Sequence, residues 1–225
     1  MANNKKSSQP EALENVQEVV STNIRWIEKY QNVISYGVLG LLAVVVAVFA
    51  IINYVIKPKS VELNDEIAYA AFYFAQGDYE RALNGDEADC IGFAEIAEGN
   101  TLYQAGKLAS LYAGICCYHL GQYDEAIDYL KNFSAKDVNI GDLAKQFLGD
   151  AYVQTEQYEE AIKAFKAAAS RGNEIIAPAS LKKAGLVYLE LDDKKEAERM
   201  FTQIKENYMT SREAQDIDKY IALTK

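Results

Sequence analysis

The stretch CYHLGQYDEAIDYL (Cys117–Leu130) holds the only histidine of a 225-residue chain and a Gly-x-Tyr-x-x-Ala step, Gly121 to Ala126. Cysteine, histidine and tyrosine so close together fit a chemical site. The Gly-to-Ala step fits a packing register. Companions of the step decide between the two readings. GDYERA (Gly77–Ala82) precedes it, EQYEEA (Glu156–Ala161) follows it, and DKKEA (Asp193–Ala197) is a degraded fourth copy. The alanines Ala82, Ala126, Ala161 and Ala197 stand 44, 35 and 36 residues apart.

A second step recurs upstream of three of them: GICC (Gly114–Cys117), GDAY (Gly149–Tyr152) and GLVY (Gly185–Tyr188). Leu130, Phe165 and Phe201 each lie four residues past their alanine. A period near 34 residues with small residues where helices cross is the tetratricopeptide pattern. In that pattern Gly114, Gly149 and Gly185 let helix A of a repeat approach helix B closely. Gly77 and Gly121 suit the turn between them, where a positive φ is needed. The opening stretch is therefore mainly packing register. His119 ends helix A of the second repeat and reads as a surface or groove-edge residue, because no second histidine and no cysteine at ligand spacing accompany it.

The sequence predicts an all-α chain: about four repeats closed by a C-terminal capping helix. The first interval is about ten residues longer than the expected period of about 34. Its excess, Asn84 to Gly106, predicts a broken or extended helix B. The fourth repeat has Lys194 where tyrosine is expected. SREAQDIDKYIALT (Ser211–Thr224) reads as a final helix with Ser211 as N-cap, its stripe Ala214, Ile217, Tyr220 and Ile221 sealing the open end.

Charge and composition narrow the function. The formal net charge is −10. Up to Lys59 there are six Lys/Arg and four Asp/Glu; from Ser60 onward there are 17 and 29, a net −12. That domain repels phosphate backbones, which sets nucleic-acid binding aside. Cys90, Cys116 and Cys117 are an odd count and a poor disulfide framework. They read as small buried hydrophobes; a bond from Cys90 to one of the pair is the alternative in an oxidising compartment. No phosphate loop, nucleophile motif or metal-ligand spacing stands in the sequence, so neither catalysis nor a cofactor or metal is expected.

VISYGVLGLLAVVVAVFAIINYVI (Val33–Ile56) has no charged residue over 24 positions. As a helix it reaches about 36 Å, enough to cross a bilayer with some tilt. It begins after 32 residues, too far in for a signal peptide, so a retained transmembrane helix over 33–56 is expected. Trp26, Tyr30 and Tyr36 at one end and Tyr54 at the other suit the membrane interfaces. Lys5, Lys6, Arg25 and Lys29 before the span outnumber Lys57 and Lys59 after it, which places the N-terminus in the cytoplasm and residues 57–225 in a bacterial periplasm. Gly40, Ala43, Ala47 and Ala50 share one helical face where another membrane helix can approach. Upstream, Leu13, Val16, Val20, Ile24 and Ile27 form the apolar stripe of an amphipathic helix over 11–32, and residues 1–10 read as a disordered tail.

Solenoids of this kind present a concave face built from their A helices. The register assigns to it Ile67, Ala71 and Phe74; Leu111, Ile115, Tyr118 and His119; Gln146, Asp150 and Val153; and Lys182, Leu186 and Leu189. Such a face is apolar with polar points and suits an amphipathic helix or an extended peptide. It lacks the Lys/Arg cluster that a clamp for peptide carboxylates needs.

The phrases ALNGD (Ala82–Asp86), IGFAEIAE (Ile91–Glu98), YAGICCYHLGQYDEAIDYL (Tyr112–Leu130) and KAGLVYLEL (Lys183–Leu191), set behind a single span, resemble YfgM-like ancillary subunits of the SecYEG translocon, in their Bacteroidetes form. The resemblance covers nearly the whole chain. It implies an inner-membrane protein beside SecYEG with its tetratricopeptide domain in the periplasm. It also implies a PpiD-like membrane-anchored periplasmic chaperone as partner, and the handing over of newly translocated polypeptides. It supplies no catalytic residue. A different reading of the same architecture is a periplasmic adaptor for envelope assembly or cell division, whose span is only a tether.

Overall fold

The computed structural model describes residues 30–33, 35–86, 91–100, 103–131, 133 and 137–225. The expected tail, most of the amphipathic helix, Trp26 and Cys90 lie outside the described residues. The chain divides at Pro58 into two compact units.

In the first unit residues 35–51 are α-helical and Ile52–Ile56 form a π-helical turn. Pro58 explains the turn. It has no N–H, and its ring clashes with the carbonyl four residues back, that of Tyr54, in a regular α-helix. Widening the helix by one residue relieves the clash, and the Lys57 N–H reaches the Ile52 carbonyl. The Asn53 side-chain amide donates to the Phe49 carbonyl (2.8 Å), and Lys57 Nζ donates to Asn53 Oδ1 (2.7 Å). Polar groups at the end of an apolar run thus keep partners. Among the described residues one helix, within Tyr30–Ala75, is long and apolar enough to cross a membrane.

The second unit is built of paired helices. Among the described residues these are α1 (Lys57–Ala75), α2 (Tyr79–Asn84), α3 (Phe93–Ala97), α4 (Gln104–His119), α5 (Tyr123–Lys131), α6 (Val138–Gln154), α7 (Tyr158–Ala169), α8 (Ile176–Glu190), α9 (Lys194–Asn207) and α10 (Ile217–Leu223). Helices α1, α4, α6 and α8 are the A helices of the repeats; α2, α5, α7 and α9 are the B helices.

Each A helix ends in the same way. The N–H groups of Gly77, Gly121, Glu156 and Asp192 return to carbonyls three residues back, and those of Asp78, Gln122, Gln157 and Asp193 to carbonyls five residues back. This double closure needs a left-handed residue. Gly77 and Gly121 adopt it at φ +78° and +77°, while Glu156 and Asp192 take it with side chains, at +59° and +57°.

The crossings match the expected register. Ala82, Ala126, Ala161 and Ala197 are fully buried. A Cβ added to Gly114 would lie 2.6 Å from Leu130 Cγ, and one added to Gly149 would lie 2.5 Å from Phe165 Cε1. Gly185 meets Phe201 in the same way. The register glycine of α4, α6 and α8 is therefore in each case the socket for the large residue four past the alanine of its B helix. Phe165 and Phe201 are among the largest fully buried side chains, each contributing about 2–3 kcal/mol by burial.

The long first interval is a broken helix B. Helix α2 stops at Asn84, a lone bridge pairs Gly85 with Ile91, and α3 resumes the packing. Phe93 of α3 is fully buried and stacks on Tyr112 at 5.0 Å, with Phe74 edge-on to both.

The C-terminal cap differs in one respect from the reading of the sequence. Ser211 Oγ does accept the Ala214 N–H (3.2 Å), but the stretch it caps is a 3₁₀ turn, Glu213–Gln215, and the α-helix begins only at Ile217. Asp216, at φ −120°, separates the two. The stripe still seals the end: Ile217 is buried, and Ala214, Tyr220 and Ile221 pack on the core.

Candidate partner-binding face

The uncharged residues assigned to the A-helix face separate into three groups. Leu111 and Ile115 are only 2% and 4% exposed, in a cluster with Leu130 and Ala144. They are core residues rather than partner contacts, because the third repeat covers them. Ile67, Ala71, Phe74, Val153 and Leu189 are half-buried against the main core. Tyr118, His119, Gln146 and Leu186 retain open surface, Leu186 most plainly among the aliphatics, at 42% exposed.

The charged members are already partnered. Lys183 Nζ binds Asp150 Oδ2 at 2.5 Å, joining α8 to α6. Burial pushes the Asp150 carboxyl up, and the Lys183 charge and hydrogen bond offset only part of that. Lys182 Nζ binds Asp216 Oδ1 at 2.8 Å and sits 4.3 Å from the centre of the Tyr220 ring. Burial alone would lower the Lys182 ammonium, but Asp216 and Tyr220 hold it raised. Lys182 in turn lowers Asp216 through their hydrogen bond. These pairs tie helices together and leave the face close to neutral.

His119 is exposed yet held. Its ring lies parallel to Tyr79 at 4.3 Å and meets Tyr118 and Phe147 edge-on at 5.6 and 6.2 Å. It thereby links three repeats. Tyr118 also contacts Phe147 (5.7 Å), and burial first, then the nearby Asp150 charge, raises its phenol. Phe147 and Lys183 belong to this face and are missing from the sequence-based assignment. Tyr112 and Phe147, each two residues before a register glycine, were a usable signal. Lys183 holds the same position before Gly185, but its pairing with a carboxylate 33 residues away has no local signal.

Cys116 and Cys117 are buried free thiols. Burial is the main cause that pushes them up to about 12 and about 11, so neither forms a ready thiolate. Among the described residues no group of three or more His, Cys, Asp or Glu side chains is placed to hold a metal ion. The small residues Gly40, Ala43, Ala47 and Ala50 share one side of the apolar helix. A Cβ at Gly40 would meet nothing within 4 Å.

Two tetratricopeptide-repeat family profiles match the chain, over residues 144–171 and 180–211. They fall on the α6–α7 and α8–α9 pairs. Comparison with curated proteins found no match. Helix pairing, turn closure, the glycine sockets and the profile matches agree: the second unit is an all-α tetratricopeptide solenoid, a protein-interaction fold.

Proposed function

We propose that the chain is a non-catalytic, membrane-anchored scaffold of the SecYEG translocon. Its N-terminus is cytoplasmic, its span crosses the bacterial inner membrane, and its solenoid works in the periplasm. There it receives a PpiD-like membrane-anchored chaperone, newly translocated polypeptides, or both. The observation that carries this reading is the joining of one apolar helix fit to cross a membrane to a solenoid of interaction repeats. The resemblance to YfgM-like subunits supplies the pathway. The open part of the A-helix face, Tyr118, His119, Gln146 and Leu186, is neutral and partly apolar, which suits peptide segments. The Gly40, Ala43, Ala47 and Ala50 side of the span is the contact for translocon helices.

Affinity capture of the full-length protein in mild detergent, followed by mass spectrometry, tests the proposal. SecY and a membrane-anchored chaperone together are the expected result, with SecY lost when the span is replaced by polyleucine. A different envelope protein in stoichiometric yield, kept after that replacement, would overturn it. External protease added to spheroplasts must also degrade the solenoid while cytoplasmic controls survive.

A further inference from the structure

The two ends of the solenoid are finished differently. The C-terminal end is sealed by α10. The N-terminal end is α1, and the repeat register shows what its outer face is for. Counting by 44, 35 and 36 residues, Phe72 of α1 corresponds to Cys116, Ala151 and Val187. Tyr69 corresponds to Ala113, Leu148 and Ala184, Val61 to Ala105, Ile140 and Ile176, and Asp65 to Ala109, Ala144 and Ser180. Of these twelve later positions nine are buried and three half-buried. On α1 the same register is open: Val61, Tyr69 and Phe72 are 61%, 66% and 64% exposed, and Asp65 is exposed too. In the later A helices this is the face that stacking covers. On the first A helix nothing among the described residues takes that place.

We propose that the α1 face of Val61, Asp65, Tyr69 and Phe72 is an interrupted stacking surface that receives a basic amphipathic helix from another protein. The partner helix completes the solenoid as the helix B of a preceding repeat would. An ordinary solenoid end carries a polar outer face; this one carries two aromatic rings and a valine. Charge selects the occupant. Residues 60–137 hold 14 Asp/Glu against four Lys/Arg, while 138–225 hold 15 against 13. Glu62, beside this face, is engaged by Lys59 at 3.1 Å, whereas Asp65, in the middle of it, has no ion pair among the described residues. Where later repeats put a small residue, α1 thus puts a carboxylate, which asks for a lysine or arginine opposite. A second copy docked face to face would set Asp65 against its own kind. The chain's own segment 11–29 carries four Asp/Glu against two Lys/Arg and is no better matched. An anionic lipid surface is opposed by the same carboxylates.

The test uses full-length protein in zwitterionic nanodiscs and two labelled 18-residue amphipathic helical peptides, alike except that one carries lysines and the other glutamates beside its apolar stripe. Fluorescence anisotropy should show saturable binding of the lysine peptide only. Tyr69→Ser with Phe72→Ser should weaken it at least about tenfold without lowering the melting temperature. Asp65→Lys should reverse the preference toward the glutamate peptide. Leu186→Glu, on the A-helix face, should leave binding unchanged. The proposal is overturned if the lysine peptide does not saturate or binds empty nanodiscs equally well. It is equally overturned if Leu186→Glu abolishes binding while the α1 variants do not. A double serine variant that unfolds would show that the face is covered within the chain. A dimer in sedimentation that Phe72→Ser dissolves would show that a second copy covers it.

Discussion

Replacing Gly149 by alanine puts the packing register to its sharpest test. The new Cβ would stand 2.5, 2.6 and 2.9 Å from Phe165 Cε1, Cδ1 and Cζ. Ordinary carbon contacts lie at about 3.5–4.0 Å, so the ring or the α6–α7 spacing must give by about 1 Å. Phe165 is 1% exposed, so the ring cannot relieve the contact by turning out into solvent without losing its burial. Overpacking of this kind costs about 2–3 kcal/mol. Alanine returns about 1 kcal/mol through its better helix propensity. The net expectation is a loss of about 1–2 kcal/mol, or about 2–8 °C in melting temperature for a chain of this size. Thermal and urea unfolding of the full-length protein in mild detergent, followed by far-ultraviolet circular dichroism, would measure it. The double variant with Phe165→Leu gives the decisive number. The smaller side chain should relieve the clash, so the two substitutions together should cost less than their sum by at least about 1 kcal/mol. A Gly149→Ala protein as stable as the parent or more so, or strict additivity with Phe165→Leu, would mean that the glycine is merely tolerated there, and the socket argument fails.

Three further expectations rest on separate parts of the structure. Gln157 stands where Asp78 and Asp193 cap their helices by accepting the Arg81 and Glu196 N–H groups at 3.2 and 3.1 Å, but it makes no such bond. Gln157→Asp should add about 0.5–1 kcal/mol of stability, read as a rise in urea midpoint at unchanged slope. In a Cys90→Ser background, Cys116 and Cys117 should stay unmodified by maleimide at pH 8 and react fully in urea, because burial holds both thiols protonated; native labelling seen by mass spectrometry would contradict it. The Asp150 carboxyl is raised in the folded chain, so its contribution is fully present below its unfolded value near 3.9 and is lost as pH rises through the folded value. The melting temperature of Asp150→Asn should therefore gain on the parent as pH rises from 3.5 toward 7, and a relative loss over that window would show that the Lys183 pair outweighs burial.

What was legible in the sequence is what residue size and local turn geometry dictate. The buried alanines, the Gly114, Gly149 and Gly185 sockets with their large partners, and the left-handed turns at Gly77 and Gly121 recur at one period because each repeat solves the same crossing. Even the first, long interval announced a broken or extended helix B, though not which of the two, nor that Phe93 would re-enter the core. The periodicity of one helix says which of its sides is apolar; it does not say whether the next repeat covers that side. Leu111 and Ile115 were misassigned for that reason. The start of α10 was missed because Ser211 caps a 3₁₀ turn as readily as an α-helix. The Asp150–Lys183 and Lys182–Asp216 pairs span 33 and 34 residues, and nothing local in the chain foretells them.

Stability and recognition compete for the same residues in a stacked fold, and here stacking takes most of the A-helix face. Its carboxylates and ammonium groups are spent on joining α6 to α8 and α8 to the C-terminal cap, and its leucine and isoleucine in the second repeat are spent on the third. What remains for a partner is what stacking has no use for: the Leu186 surface, the ring edges around His119, and the outer side of α1. The last has the most to offer, because an end face has the shape of a helix seat without a helix in it. It also carries a hazard, since an exposed seat lined with Val61, Tyr69 and Phe72 invites self-association. Asp65 answers that hazard at the position where every later repeat keeps a small buried residue. A charge there makes copies of the chain poor partners for one another while leaving a basic helix a favourable one. A single substitution in the register thus separates a surface that would aggregate from one that selects.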